Sequence, residues 1–313
     1  MINRILIRIK VVQILYSYML TRNDLSIVEV KSKLDDSMDK AYQLYFALFK
    51  FMSDLTRIQE LRLDAAKNKY LPTAEELNPD TRFIDNKFIE AIRGNEAYNY
   101  FLNNLSTADL ETISWQDDVY ARVILDKILN SDIYAEYMAL ANTDFATDTE
   151  FWRNVMINIV LEDEGFMEMI ENKSVYWNDD LPTIGAFFIK TLKRWGEGQE
   201  QTFSPQFKDE QDAKFGFELL SYVDKNYNLY NSLIDRFVKT EAWDVERIAL
   251  MDRVIMLTAI AEIINYPLIP VTVTMNEYIE IAKSYSSPRS GNYINGIMSS
   301  VVKHLRAEKV IKK

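Results

Sequence analysis

The chain has 313 residues, 48% apolar and 27% charged, and its 36 Lys and Arg against 47 Asp and Glu give a net charge of −11. That length allows one large or two ordinary domains around a substantial core, and only eight glycines and seven prolines favour helices over a turn-rich all-β architecture. With no cysteine and a single histidine, His304, the sequence excludes disulfides, thiolate nucleophiles, Cys-ligated zinc and multi-histidine metal sites.

The first predicted helix runs from about Asn3 to Leu20, where Ile5, Ile9, Val12, Tyr16 and Met19 recur at three- and four-residue steps as one apolar stripe. Arg4 and Arg8 lie one turn apart along its edge. They interrupt the N-terminal apolar run too often for a signal peptide, and no later run nears the roughly 18 apolar residues of a membrane span. A cytoplasmic location is expected. After a loop at Arg22-Asn23-Asp24, one long helical pattern extends from Ile27 to Asn68, with Leu34, Met38, Tyr42, Tyr45, Leu48, Phe49, Met52, Leu55 and Ile58 as its apolar face. Residues 71–112, with Asn78-Pro79-Asp80 and Gly94-Asn95, predict short helices and loops. Helices resume near Gln116–Leu140, Thr149–Asn172 and Leu181–Trp195. Gly196-Glu-Gly-Gln-Glu200 and Phe203-Ser-Pro-Gln206 then form the clearest linker.

Beyond the linker, helices are predicted at about 211–227, 228–240, 244–264, 274–285 and 291–308. Trp243 precedes the third of these as a core or staple residue, and Thr274 with Glu277 reads as a capping box opening the fourth. No segment alternates as a strand does, so the predicted class is all-α. Shifting residues 144–192 by 66 places Phe151, Lys173, Trp177 and Ile189 on Phe217, Lys239, Trp243 and Ile255, which suggests a degenerate repeat over 144–195.

Charge is spread unevenly. Arg4, Arg8, Lys10 and Arg22 make the N-terminus basic, and Lys303, Arg306, Lys309, Lys312 and Lys313 do the same for the tail. Residues 144–180 hold ten carboxylates against Arg153 and Lys173, so this middle region should repel a polyanion and suits a basic partner instead. Neither G-x-x-x-x-G-K-[ST] nor G-x-G-x-x-G occurs. Glu162-Asp163-Glu164 and Asp179-Asp180 read as solvated faces or caps, and His304 suits the negative end of a helix dipole. No enzyme, cofactor or metal is expected. The polar turn between the last two helices differs, because Tyr285 and Tyr293 flank basic residues there, and an aromatic face can stack on an unpaired base.

Around that turn the chain resembles the NusB family. The resemblance is carried by Trp243-x-x-Glu-Arg-Ile-Ala-x-Met-Asp-Arg-Val-Ile-Met256, Ala261-Glu262, Ile269-Pro270, Met275-Asn-Glu-Tyr-Ile-Glu-Ile-Ala-Lys283 and Gly291-Asn-Tyr-Ile-Asn-Gly296. Arg8-Ile-Lys-Val-Val-Gln-Ile-Leu-Tyr16 is similar to the family's R-x-x-A-x-Q-x-L-Y. The resemblance implies two small helical bundles, with residues 1–25 and 209–313 as an RNA-binding domain and 26–208 as a helical insertion. It also implies a non-enzymatic transcription antitermination factor. Such a factor binds the boxA element of ribosomal RNA leader transcripts together with ribosomal protein NusE, and so modifies elongating RNA polymerase.

Carried over by position, the implied RNA-binding residues are Arg4, Arg8 and Tyr16 from the first helix and Lys283, Ser284, Tyr285, Arg289, Asn292, Tyr293 and Asn295 from the last two. Two departures stand out. The family's run of arginines is reduced to Arg4 and Arg8, and Leu257 stands where the family has an arginine after Ile-Leu. These departures and the acidic middle motivate an alternative, a helical protein-interaction scaffold that has lost RNA binding; further alternatives are an RNA-binding factor of ribosome assembly and the RNA-binding module of a ribosomal-RNA methyltransferase.

Overall fold

The computed structural model describes residues 1–21, 25–240 and 248–312, apart from the side chains of Lys239 and Thr240. Sixteen α-helices follow one another among these residues. The first eleven are α1 (Arg4–Leu20), α2 (Ile27–Lys67), α3 (Ala74–Leu77), α4 (Lys87–Gly94), α5 (Glu96–Asn103), α6 (Thr107–Thr112), α7 (Val119–Leu129), α8 (Asp132–Met138), α9 (Phe145–Val155), α10 (Glu164–Lys173) and α11 (Leu181–Gly196). The last five are α12 (Glu210–Lys225), α13 (Tyr227–Thr240), α14 (Leu250–Asn265), α15 (Val271–Tyr285) and α16 (Ser290–Ala307). The one β-type pairing among the described residues is an isolated bridge between Ile2 and Phe207. The class is all-α. Among the described residues no helix is long and apolar enough to cross a membrane.

The chain divides into two compact units, the first comprising Met1 and Asp39–Gln206, the second Ile2–Met38 and Phe207–Lys313. One division falls inside α2, later than the residue-25 boundary expected from the sequence. Loops are marked by glycine, proline and polar runs, and a helix shared by two cores carries no such punctuation. Leu34 and Met38 simply continue the register of Tyr45 and Phe49.

In the second unit, α14 is the central helix, with every residue from Val254 to Ile263 buried. Such a helix must be apolar on all sides, and this is why no single stripe marks its inward face. α1 corrects the predicted stripe. Leu6, Ile7, Val11, Val12 and Leu15 are buried, whereas Ile5 is 45% exposed. With apolar residues on every side and Arg8 and Lys10 buried as well, α1 does not select a face by apolar periodicity. Gly216 on α12 selects it instead, since a Cβ there would lie 2.9 Å from the Ile7 Cγ2 and 3.4 Å from the Leu34 Cδ2.

The predicted capping box is also corrected. α15 starts one turn earlier, after Pro270, whose φ of −58° already suits a helix start, and Thr274 lies inside the helix with its side chain buried. The pattern over Gln116–Leu140 breaks at Ser131, which caps α8, and that over Thr149–Asn172 breaks at a π-turn over Met156–Val160 and at Asp163, the N-cap of α10. Arg22-Asn23-Asp24, Trp243 and the start of the helix expected from residue 244 lie outside the described residues.

The first unit is built on α2 and α11 and on bulky aromatic packing. Trp115, Trp152, Trp177 and Trp195 are each fully buried. The buried carboxylate of Asp54 accepts the Trp115 backbone N–H at 3.0 Å and the Lys50 ammonium at 2.9 Å, so the polar group it brings into the core is satisfied.

Candidate nucleic-acid interface

The turn between α15 and α16 exposes most of the residues the sequence singles out. Lys283, Ser284, Arg289, Asn292 and Asn295 are exposed, and Tyr285 and Tyr293 are half-buried at its two sides. α15 ends at Tyr285 with the Ser286 N–H donating to the Ala282 carbonyl, and the Tyr293 N–H to the Arg289 carbonyl begins the ladder of α16. Gly291 keeps the two helices close. A Cβ at that position would sit 3.2 Å from the Lys283 Cγ and 3.6 Å from the Ile279 Cγ2. The Lys283 stem is thereby laid against the first turn of α16, beside Asn292.

Electrostatically the turn is available to an anion. The Lys283 ammonium bonds Glu280 at 2.6 Å, but both side chains are more than half exposed, and such a surface pair is screened and weak. No carboxylate among the described residues pairs with Arg289. Ser286 and Ser290, between which Arg289 lies, donate to the carboxylate of Asp252 from the first turn of α14 at 2.6 and 3.0 Å. Cations on an ordered backbone, amides within reach of base edges and tyrosine rings at the rim are the chemistry a single-stranded nucleic acid requires.

The first-helix candidates have different environments. Arg8, expected at the RNA surface, is only 3% exposed. Its Nε and Nη2 donate to the two carboxylate oxygens of Glu262 at 2.8 Å each, and Thr274 and Tyr278 donate to the same carboxylate at 2.8 and 3.2 Å. Burial alone would lower the Arg8 pKa, but the bidentate bond and charge of Glu262 outweigh it and hold the guanidinium above its ordinary value. Burial, then the Glu262 charge, pushes the Tyr278 hydroxyl well above its ordinary value, so it remains a donor. Arg8 is thus committed to a core ion pair that ties α1 to α14 and α15, a role that corrects the phosphate contact expected of it. Its spacing from Arg4 carried no hint of this, because the partners lie some 250 residues away.

Arg4 is intermediate. Its Nε donates to Asp212 at 2.7 Å with a third of the side chain exposed, and its guanidinium lies 5.1 Å from the Phe215 ring centre. Tyr16 is partly exposed. The structure therefore gathers the seven C-terminal candidates on one turn and its flanks, leaves Arg4 and Tyr16 on α1, and moves Arg8 inside. Glu262, Thr274, Tyr278 and Asp252 were missed as functional candidates, although Asp252, Glu262 and Tyr278 stand inside, and Thr274 beside, the segments that carry the family resemblance.

The family model described as "NusB family" matches residues 186–303, from the second turn of α11 through most of α16. α1 lies outside that segment. Two relatives, each named "Transcription antitermination protein NusB", align over similar lengths. That of Koribacter versatilis is 36% identical over 119 residues, 37% of this chain and 80% of the relative. That of Dictyoglomus thermophilum is 35% identical over 129 residues, 41% of this chain and 85% of the relative. No solved structure matches the chain significantly. With most of two such relatives covered at this identity, the all-helical chain belongs to the NusB family.

Proposed function

We propose that this protein is a non-enzymatic transcription antitermination factor that binds single-stranded boxA-type RNA of ribosomal leader transcripts, acting with ribosomal protein NusE on the elongating RNA polymerase. The observation that carries the reading is the α15–α16 turn, where Lys283, Arg289, Asn292 and Asn295 stand exposed together on a chain whose net charge is strongly negative. Phosphates bind local positive potential, whatever the sum over the molecule. The named role of the relatives supports the antitermination part. Arg4 and Tyr16 extend the proposed surface along α1, and RNA displaces the exposed Lys283–Glu280 pair.

The test is a salt titration of RNA binding with a short single-stranded boxA RNA. Changing Lys283 and Arg289 together to Ala is expected to weaken binding and to reduce the slope of log affinity on log salt by about 1.4, close to the roughly 0.7 expected for each single-strand phosphate contact. An affinity and slope that stay at wild-type values would sink the RNA assignment. The burial of Arg8 favours a second reading, a protein-interaction scaffold that has lost RNA. It predicts no measurable RNA affinity alongside intact NusE binding.

A further inference from the structure

Within the α15–α16 turn the Ser290 N–H donates to the Ser287 carbonyl at 2.9 Å, and the Ser290 and Ser286 hydroxyls lie 3.0 Å apart. Arg289, at the start of α16, forms no side-chain capping bond, and Ser286 closes α15 through its backbone N–H. The anchor comes from α14. Asp252 Oδ1 accepts the Ser286 hydroxyl at 2.6 Å and Oδ2 accepts the Ser290 hydroxyl at 3.0 Å. Ser290 Oγ in turn accepts the Ser287 N–H at 3.2 Å, and the Ser287 and Ser290 hydroxyls lie 2.8 Å apart. Asp252 is 6% exposed and Ser290 2%. Two serines are thus held on one buried carboxylate, and the third, Ser287, is bonded to Ser290. Hydrogen bonds to an ionised acceptor shielded from water are among the stronger ones.

We infer that Asp252 is a positioning residue for RNA binding: without touching RNA, it fixes the Ser286–Ser290 turn in the shape that presents Arg289 beside Lys283 and Asn292. This rests on the RNA reading above. The sign of the effect separates it from a plain charge effect. A buried anion beneath a cationic turn opposes phosphate binding, so removing its charge alone tightens the complex. Releasing the turn weakens it, because Arg289 and Asn292 must then be ordered at the moment of binding.

The test uses the full chain and a short single-stranded boxA RNA, well below the thermal midpoint, with amide hydrogen exchange followed over residues 283–296. Asp252→Ala removes charge and anchor together, and the Ser286→Ala/Ser290→Ala double variant removes the anchor and keeps the charge. Both are expected to bind RNA about tenfold more weakly, the size of one lost charge-assisted hydrogen bond, with faster exchange in the turn. Tighter binding by Asp252→Ala, or an unchanged affinity in the serine double variant, overturns the inference. So does weaker binding with unchanged exchange over the turn. Should Asp252→Ala unfold, the Ser286→Ala/Ser290→Ala double variant decides alone, with the same outcomes. If the Lys283→Ala/Arg289→Ala variant binds as the wild type does, the RNA reading itself fails. That result is distinct from a loss confined to the Asp252 and serine variants.

Discussion

The two units handle charge in opposite ways. Residues 2–38 and 207–313 hold 20 Lys and Arg against 18 Asp and Glu, whereas residues 39–206 hold 16 against 29, so the whole negative excess belongs to the first unit. Their cores differ too. The first unit contains all four tryptophans among the described residues, and the second packs mainly aliphatic side chains around α14. Buried carboxylates hold structure in both, through Asp54 in one and through Glu262 and Asp252 in the other. In the second unit these carboxylates tie together the helices that flank the exposed cationic turn. A near-neutral unit with ordered exposed cations can bind a polyanion even when it is covalently joined to an acidic one, since screening limits each charge to its surroundings.

The largest expected effects fall on the two cores. Changing Glu262 to Ala leaves the Arg8 guanidinium buried without its partner and is expected to destabilise the second unit by about 3–5 kcal/mol in denaturant unfolding. Changing Trp115 to Ala is expected to cost the first unit about 3–5 kcal/mol through its cavity. On the proposed function, the Trp115 variant is expected to keep wild-type RNA affinity at low temperature and the Glu262 variant to lose it. If calorimetry finds one transition that both variants shift equally, the independence of the two cores is refuted.

A smaller effect is expected at Gly216. Alanine would gain about 1 kcal/mol in helix propensity, but its Cβ would press within 2.9 Å of a methyl on Ile7, a stiff β-branched side chain. Overpacking of that kind costs about 1–3 kcal/mol, so a net loss near 1 kcal/mol is expected. A stabilised Gly216→Ala variant would mean that α12 and α1 separate more easily than their contact implies.

Much of this was legible in the sequence. α1, α2, α11, α12, α13 and α16 stand close to their predicted limits, marked by terminal residues such as Asn3, whereas α15 begins a turn before the predicted Thr274. The α15–α16 turn was legible from composition, since few other stretches place Gly, Pro, Ser and basic residues together. The burial of Arg8 was not. It depends on a carboxylate brought in by tertiary packing, and a short-range pattern cannot distinguish an arginine paired inside a core from one held at the surface. The division within α2 was equally silent, because the helix keeps one apolar register as it passes from one core to the other.

The smallest expected effect tests the charge contrast directly. Glu164, Glu168 and Glu171 form an exposed stripe on α10 of the first unit. Replacing all three by Gln removes three negative charges without changing shape. If RNA is held by the second unit alone, these charges act only through solvent, where the Debye length is about 8 Å at ~0.15 M salt. RNA affinity is then expected to rise by less than about twofold at that salt, and the small gain should grow as salt is lowered. Circular dichroism should be unchanged, since these side chains face solvent. A rise of about tenfold or more at ~0.15 M salt would place α10 within a Debye length of the bound RNA, and the contrast between an RNA-binding unit and an RNA-excluding one would no longer hold.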